Sequence, residues 1–279
     1  MNTAIVTDST ADIPPEFVER YQIHIIPAIL IIEGESQEDG KGISRESFYQ
    51  QLSSWKTPPK TAAPPSGAFE TLYEKLLSGK FSSVISIHAA GALSGIYNAA
   101  CIASQAFPGK VQVIDSNQVS LGLGFQVLAA AETQASGEPL IRILEIVESV
   151  KRRVRVMALL NTLEYVRRSG RVSWARAAVG ELLSLKPLIE LRHGHVSRLG
   201  LARTWQNGVN RLSTLLSNLG PLERLAVMHS NAETEAKRFL KNFKQKLPTP
   251  PIIVNVTTII GSHAGPHGLG FTALPFAPS

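Results

Sequence analysis

The chain has 279 residues, a hydrophobic fraction of 44%, a charged fraction of 18% and a formal net charge of +6. These values predict a globular protein with a large buried core and exclude a disordered chain. The single cysteine, Cys101, excludes an internal disulfide, and no apolar run is long enough to span a bilayer. Since no leader-like segment is seen either, we expect a cytoplasmic protein.

The first half of the sequence alternates predicted strands and predicted helices. Short apolar runs predict strands at 3–7, 23–32, 83–87 and 111–114. Helices are predicted at 44–52, 66–77, 94–107, 118–135 and 139–151. The nearly all-apolar run at 23–32 is typical of a strand that is covered on both faces. The alternation predicts a parallel sheet between helices.

After residue 152 the pattern changes. Strands are predicted at 154–160, 188–191, 195–201, 224–229 and 252–260, with a hairpin at His193-Gly194. Helices are predicted at 177–184, 205–219 and 232–247. We therefore predict the α/β class with two α/β lobes and a ligand cleft between them. Residues 1–152 form the first lobe with a parallel sheet, and residues 153–279 form the second with a mixed sheet.

The segments that follow three predicted strands have the composition of ligand sites. Residues 261–270 contain four glycines, one proline and two histidines directly after the predicted strand at 252–260, which indicates a loop. Residues 7–14 and 88–98 carry hydroxyls where a helix begins, and the free N–H groups there favour an anion. Open α/β sheets bind ligands at such strand ends. Each junction alone has the alternative of ordinary helix capping by serine or threonine.

The excess positive charge is concentrated at 151–155 and 167–171. A basic surface could contact nucleic acid, a membrane surface or an acidic protein, or could simply be solvated. No known nucleic-acid module accompanies it and aromatic residues make up only 6%, so we expect no nucleic-acid partner. Transient contact with a membrane surface stays open.

Four segments resemble the DegV family in order and separation, namely 7–14, 93–97, 113–116 and 261–266. Residues 168–172 resemble that family's Gly-Gly-Arg-Ile segment, and the resemblance covers nearly the whole chain. It implies a protein that binds a long-chain fatty acid. It also implies that, in bacteria with a fatty acid kinase, the bound carboxylate is presented to that separate kinase subunit for acyl-phosphate formation.

A carboxylate in a cleft needs preorganised donors, and the matched segments contain several. Ser94 can donate its hydroxyl, Gly95 and Gly265 their backbone N–H groups, and His263 or an arginine a charge-assisted bond. Thr61, just before a turn that leads into a helix, stands where the family has a threonine that contacts the carboxylate. The sequence departs from the family's polar pattern at Ala62, Ala63 and Ile96.

The same resemblance implies that two arginines contact the kinase or the head group. Arg203 falls near the position where the family meets its kinase. Arg171 lies in the matched glycine turn, where it could contact the kinase, face the head group or pair with Glu164 or Glu181.

The affinity is expected to come from the acyl chain in an apolar tunnel. Each buried CH₂ contributes roughly 0.8 kcal/mol, so a chain of about sixteen carbons gains on the order of 12 kcal/mol before ordering costs. The predicted tunnel-lining segments are 177–188 and the strand at 26–32.

Two other functions stay open. Ser94, His263 and Asp115 could form a hydrolase triad, although no Gly-x-Ser-x-Gly segment surrounds Ser94. A sensor of another small acid would use the same donors.

No phosphate-binding loop and no metal-ligand spacing is present, so we expect no cofactor, no metal and no catalytic residue. The protein is thus expected to be a lipid-binding subunit and not a stand-alone enzyme.

Overall fold

A computed structural model of the protein describes residues 2–177, 179–180 and 184–277. The strands are β1 (Thr3–Asp8), β2 (His24–Ile26), β3 (Ile29–Ile32), β4 (Glu35–Glu38), β5 (Lys60–Ala62), β6 (Ser83–His88), β7 (Val111–Asp115), β8 (Arg155–Leu159), β9 (Lys186–Arg192), β10 (His195–Ala202), β11 (Leu222–His229), β12 (Ile252–Asn255) and β13 (Leu269–Pro275). The α-helices are α1 (Pro15–Tyr21), α2 (Arg45–Gln51), α3 (Ser66–Leu77), α4 (Ile96–Ser104), α5 (Leu121–Ala135), α6 (Leu140–Arg153), α7 (Glu164–Ser169), α8 (Trp205–Ser217), α9 (Glu233–Asn242) and α10 (Thr258–Ala264).

The first large sheet is parallel throughout, with the strand order β2-β1-β6-β7. Every residue of β1 and β6 is buried. Helix α5 is buried along residues 121–131. Strands that are covered on both faces need continuous apolar runs, which is why this sheet could be predicted. The predicted parallel sheet is confirmed.

The second large sheet is mixed, with the order β10-β9-β8-β13-β11-β12. Strands β11 and β12 are parallel, and the other neighbouring pairs are antiparallel. The hairpin of β9 and β10 turns at His193 and Gly194, where both residues have positive φ angles of 50° and 78°. The predicted mixed sheet and its hairpin are confirmed.

The predicted strand at 23–32 is in fact two strands in two sheets. Pro27 separates β2, which joins the parallel sheet, from β3, which pairs antiparallel with β4 and β5 in a small third sheet. Proline has no N–H to donate to a strand neighbour, so the ladder breaks there. Strand β5, which contains Thr61, was not predicted, and neither were β4 and α1.

The predicted strand at 252–260 is wrong in its second half. Strand β12 ends at Asn255, and residues 258–264 form helix α10. The Thr257 side chain caps the helix by accepting from the Ile260 N–H at 3.5 Å. The predicted loop at 261–270 is therefore the end of α10, a short connection and the start of β13.

The predicted helix at 177–184 falls partly on Ala178, Glu181, Leu182 and Leu183, which lie outside the described residues. A 3₁₀ helix covers Ser173–Ala177 just before it. Glu181, named as a possible partner of Arg171, is among the residues outside the description.

Apolar contacts cross the predicted boundary at residue 152. One buried cluster contains Ile5 and Phe125 from the first half together with Met228, Val254 and Leu274 from the second. The division into 1–152 and 153–279 therefore stays a prediction.

Among the helices in the described part of the chain, none has the length and apolar character needed to cross a bilayer.

Candidate functional site

A cavity of about 480 Å³ lies between the parallel sheet and the mixed sheet. This volume falls within the usual range for small-molecule sites. The segments that follow β1 and β6 form one side, and residues of β8, β9, β13 and α10 form the other. Most lining side chains are apolar, among them Leu93, Val119, Leu160, Ile189, Met228 and Ile259.

Two polar side chains from distant parts of the sequence meet at this cavity. Thr61 lies in β5, and His263 lies in the last turn of α10. Thr61 Oγ1 and His263 Nε2 are 2.8 Å apart, which is a hydrogen-bonding distance. Both residues line the cavity, as their predicted common role requires.

The electrostatics of His263 differ from the expectation. Its pKa is lowered to about 4, mainly by burial and then by the positive charge of Arg171. The imidazole is therefore neutral at pH 7, so it donates one hydrogen bond and accepts one. Among the described lining residues, the permanent cation is Arg171, whose exposed side chain donates from Nη1 to the Ser169 carbonyl at 2.7 Å.

Ser94 and Gly95 lie at the start of helix α4 and line the same cavity. Ser94 Oγ accepts from the Ile96 N–H at 3.3 Å, and its hydroxyl hydrogen stays available for another acceptor. Within the described part of the chain, the Gly95 N–H donates no hydrogen bond. A Cβ on Gly95 would lie 3.6 Å from the Ala63 Cβ, so the Ser94 turn adjoins the segment that follows Thr61.

Gly265 and Arg203 do not line the cavity. The Gly265 N–H donates to the Gly261 carbonyl at 2.8 Å and so closes helix α10. Gly265 has a φ of +80°, and a Cβ there would overlap the ring of Tyr165, which accounts for the glycine structurally. Arg203 is exposed on the connection between β10 and α8.

A buried network beneath the cavity was missed in the sequence. Asp8 Oδ1 accepts from the N–H and the hydroxyl of Thr10, and Asp8 Oδ2 accepts from the Ala89 N–H at 3.0 Å. His88 Nδ1 is also 3.0 Å from Asp8 Oδ2. Burial alone would raise the pKa of Asp8, but these partners outweigh it and hold the pKa below its ordinary value. Thr10 and Ala89 line the cavity, so Asp8 fixes part of its wall.

The three residues of the possible hydrolase triad are not joined. Asp115 accepts from the Gly91 N–H at 3.1 Å and from the Asn117 N–H at 2.8 Å. His263 Nε2 contacts Thr61 and not Ser94. A triad needs a base bonded to both the nucleophile and the orienting carboxylate, and this arrangement has neither bond.

The two segments that were predicted to line a tunnel contribute little to this cavity. From the strand at 26–32 only Ala28 lines the cavity, and among the described residues of 177–188 none does. The lining comes instead from β8, β9 and the end of β11, which sequence periodicity identifies only as core strands. A tunnel wall and a core face have the same composition, so the sequence carries no signal that separates them.

Comparison with known proteins gives a match along nearly the full length. The sequence profile of the DegV family, described as uncharacterised protein of the DegV family, matches residues 2–275. Protein DegV of Bacillus subtilis is 34% identical over 280 residues, covering 97% of this chain and 98% of that protein.

Two solved structures agree with the fold. One, described as fatty acid binding of a DegV family protein from Thermus thermophilus, has a TM-score of 0.90 and 29% identity, and the match covers 99% of this chain and 100% of that one. The other, described as DegV, a fatty acid binding protein from Bacillus subtilis, has a TM-score of 0.86 and 32% identity, with 98% and 99% covered.

Proposed function

This chain belongs to the DegV family, and on that premise we propose that it binds a long-chain fatty acid in the cavity between its two large sheets. The observation that carries the proposal is the composition of the cavity. Its volume of about 480 Å³ is lined mostly by apolar side chains, with a small group of polar donors formed by Thr61, Ser94, Gly95 and His263. Such a combination suits an amphipathic ligand with one polar end.

The carboxylate is proposed to lie among these donors. The Ser94 hydroxyl and the Gly95 N–H can each donate a hydrogen bond, and the Thr61–His263 pair can donate one more, because one hydrogen of that pair is used between the two residues. The Arg171 guanidinium can supply the compensating charge. The N-terminus of α4 adds a favourable dipole at Gly95. Gly265 is left out of this set because its N–H is used within α10.

The acyl chain is proposed to supply most of the affinity. At roughly 0.8 kcal/mol for each buried CH₂, a few methylenes match the net value of one head-group hydrogen bond. The chain would therefore set the strength of binding, and the polar end would set its orientation. Ala62, Ala63 and Ile96 make the surroundings of the head group less polar than the family pattern, which favours a single bound carboxylate over a larger polar group.

We also propose that the bound carboxylate is presented to a separate kinase subunit, which converts it to an acyl phosphate. Arg171 at the cavity and Arg203 on the surface are the proposed contacts with that partner or with the head group. Two observations support this division. Arg171 lines the cavity and its charge lowers the pKa of His263, whereas Arg203 is exposed and is not among the lining residues.

The test of lipid binding is mass spectrometry of the purified protein, first under native and then under denaturing conditions. A mass difference that disappears on denaturation, with a fatty acid recovered in organic solvent, is the expected result. A delipidated and refolded sample should then bind a fluorescent long-chain fatty acid saturably, with an equimolar endpoint. A folded sample without saturable binding would overturn the proposal. Ester hydrolysis by such a sample would favour the hydrolase, and neither property would favour a sensor of another acid.

A further inference from the structure

The helix that carries His263 is held at its first turn by carboxylates from the N-terminal half. Asp12 Oδ1 accepts from the Thr257 N–H at 2.8 Å, and Asp39 Oδ1 accepts from the Thr258 hydroxyl at 2.6 Å. All four residues are buried. These bonds join parts of the sequence that are more than 200 residues apart, since Asp39 and Thr258 are separated by 219 positions.

Helix α2 contacts α10 from the same side. The Tyr49 hydroxyl donates to the Val256 carbonyl at 3.1 Å, and a Cβ on Gly261 would overlap that hydroxyl. Arg45, also on α2, donates to the Asn255 carbonyl. The two helices thus approach so closely that only glycine fits at position 261.

These contacts determine where α10 lies because the helix is too short to be stable alone. It has seven residues, and isolated helices of that length are marginal in water. Thr258 begins the helix and His263 stands in its last turn, so a shift or rotation of the first turn moves the imidazole. The 2.8 Å contact between His263 and Thr61 tolerates little of such movement.

We propose that Asp39 and Thr258 are positioning residues that hold His263 against Thr61, together with the bond between Asp12 and the Thr257 N–H. The functional part of this inference rests on the proposed function, because the position of His263 affects ligand binding only if the head group binds there. Asp39 and Thr258 do not themselves line the cavity, so their bond acts on the site through the position of α10. A contact that only stabilised the fold would change the free energy of unfolding without changing His263.

The test is a pH titration of the His263 ring, observed by NMR in lipid-free protein. The parent and Thr258→Val are compared. Valine keeps the shape of threonine and removes the hydroxyl. The expected result is a rise in the pKa of His263 toward its ordinary value as the ring becomes less enclosed. Fatty-acid affinity, measured separately by titration, is expected to fall by about tenfold. Thr3→Val is the matched control, because Thr3 is also buried and bonds a side-chain oxygen, Ser83 Oγ, at 2.9 Å away from the cavity.

A second pair of variants changes Asp39, the residue that accepts the Thr258 hydrogen bond. Asp39→Ala removes the acceptor and should reproduce the effect of Thr258→Val, and it replaces that variant if Thr258→Val does not fold. Asp39→Asn keeps an acceptor oxygen and should retain the parent titration of His263. An unchanged His263 titration in folded Thr258→Val or Asp39→Ala would overturn the inference, and so would an equal change in Thr3→Val. Because the titration needs no lipid, a protein that binds no fatty acid would remove the proposed function and leave this result standing.

Discussion

At the scale of single residues, the proposed head-group site combines one permanent charge with several neutral donors. Arg171 carries the charge. Burial of the His263 ring and the nearby charge of Arg171 lower the pKa of His263, so this ring is neutral. A carboxylate that binds between them would oppose the effect of Arg171 and favour the protonated ring. The Thr61–His263 pair is therefore sensitive to the charge of whatever occupies the cavity, and a neutral ligand would not produce this response.

The first prediction concerns Ser94. Ser94→Ala removes one donor to the carboxylate, and hydrogen bonds to charged groups are worth about 1.5–3 kcal/mol, so affinity should fall by at least about tenfold. The measurement is titration of delipidated protein with a fluorescent fatty acid. Ser104→Ala is the control, because Ser104 is the last residue of α4, bonds the Cys101 carbonyl at 2.8 Å and is absent from the cavity lining. Equal losses in both variants would contradict a direct role for Ser94.

The second prediction concerns the pH dependence of stability in lipid-free protein. His263 titrates near pH 4 when folded and near its ordinary value of 6.5 when unfolded, so below pH 6.5 the unfolded state binds the proton first. Stability should therefore fall as the pH drops from about 6.5 to 4, with a contribution of at most roughly 3 kcal/mol from this residue. His263→Gln should lose less stability than the parent over that window, as measured by urea unfolding.

Other histidines do not disturb this comparison. Burial also lowers the pKa of His24 and of His229, but both remain in the variant and cancel in the difference. Parallel stability curves for the parent and His263→Gln between pH 7 and pH 5 would show that the ring is not buried as described.

At the scale of elements, the close approach of α2 and α10 gives the third prediction. Gly261→Ala should destabilise the fold by about 1–3 kcal/mol, because the new Cβ overlaps the rigid ring of Tyr49. Gly67→Ala is the matched control, since Gly67 lies in α3 with no atom within 4 Å of its added Cβ. That variant should be more stable than the parent by about 0.5–1 kcal/mol. Urea unfolding of both variants checks the opposite signs.

The same helix shows where prediction from sequence stops. Strands β1 and β6 and the junction at Ser94 follow from apolar runs and from hydroxyls at a helix start, which are local signals. The run Thr258-Ile259-Ile260 is β-branched and reads as strand, yet it is helical. The N–H of Thr257, just before this run, donates to Asp12, which lies 245 positions away from Thr257. The contact between Thr61 and His263 is equally non-local, so the residues could be named from the family resemblance but their contact could not be predicted.

At the scale of the whole molecule, the ligand site and the proposed partner surface occupy different places. The cavity lies between the two large sheets, and Arg203 lies outside its lining on the exposed connection between β10 and α8. A fatty acid bound in this cavity, as proposed, would be accessible to a partner only where the cavity reaches the surface. Arg171, which is exposed and lines the cavity, belongs to that opening.

The fourth prediction separates these two surfaces. Arg203→Ala should leave fatty-acid affinity unchanged and raise the apparent Michaelis constant of a cognate fatty acid kinase for the lipid-loaded protein several-fold, with a weaker salt dependence. Arg238→Ala is the control, since Arg238 is an exposed arginine on α9. A Michaelis constant that stays unchanged, or a loss of lipid affinity in Arg203→Ala, would remove Arg203 from the partner surface.

The position of β13 has a consequence for the order of folding during synthesis. All strands of the parallel sheet are complete by Asp115, whereas β13 is inserted between β8 and β11 from near the end of this sequence. Until β13 emerges from the ribosome, β8 and β11 each expose an unpaired edge, which is a risk for wrong pairing. Helix α10 and His263 emerge only just before it. The strands of the first sheet are therefore synthesised before α10 and β13, and a molecule that lacks these two elements lacks part of the proposed fatty-acid site.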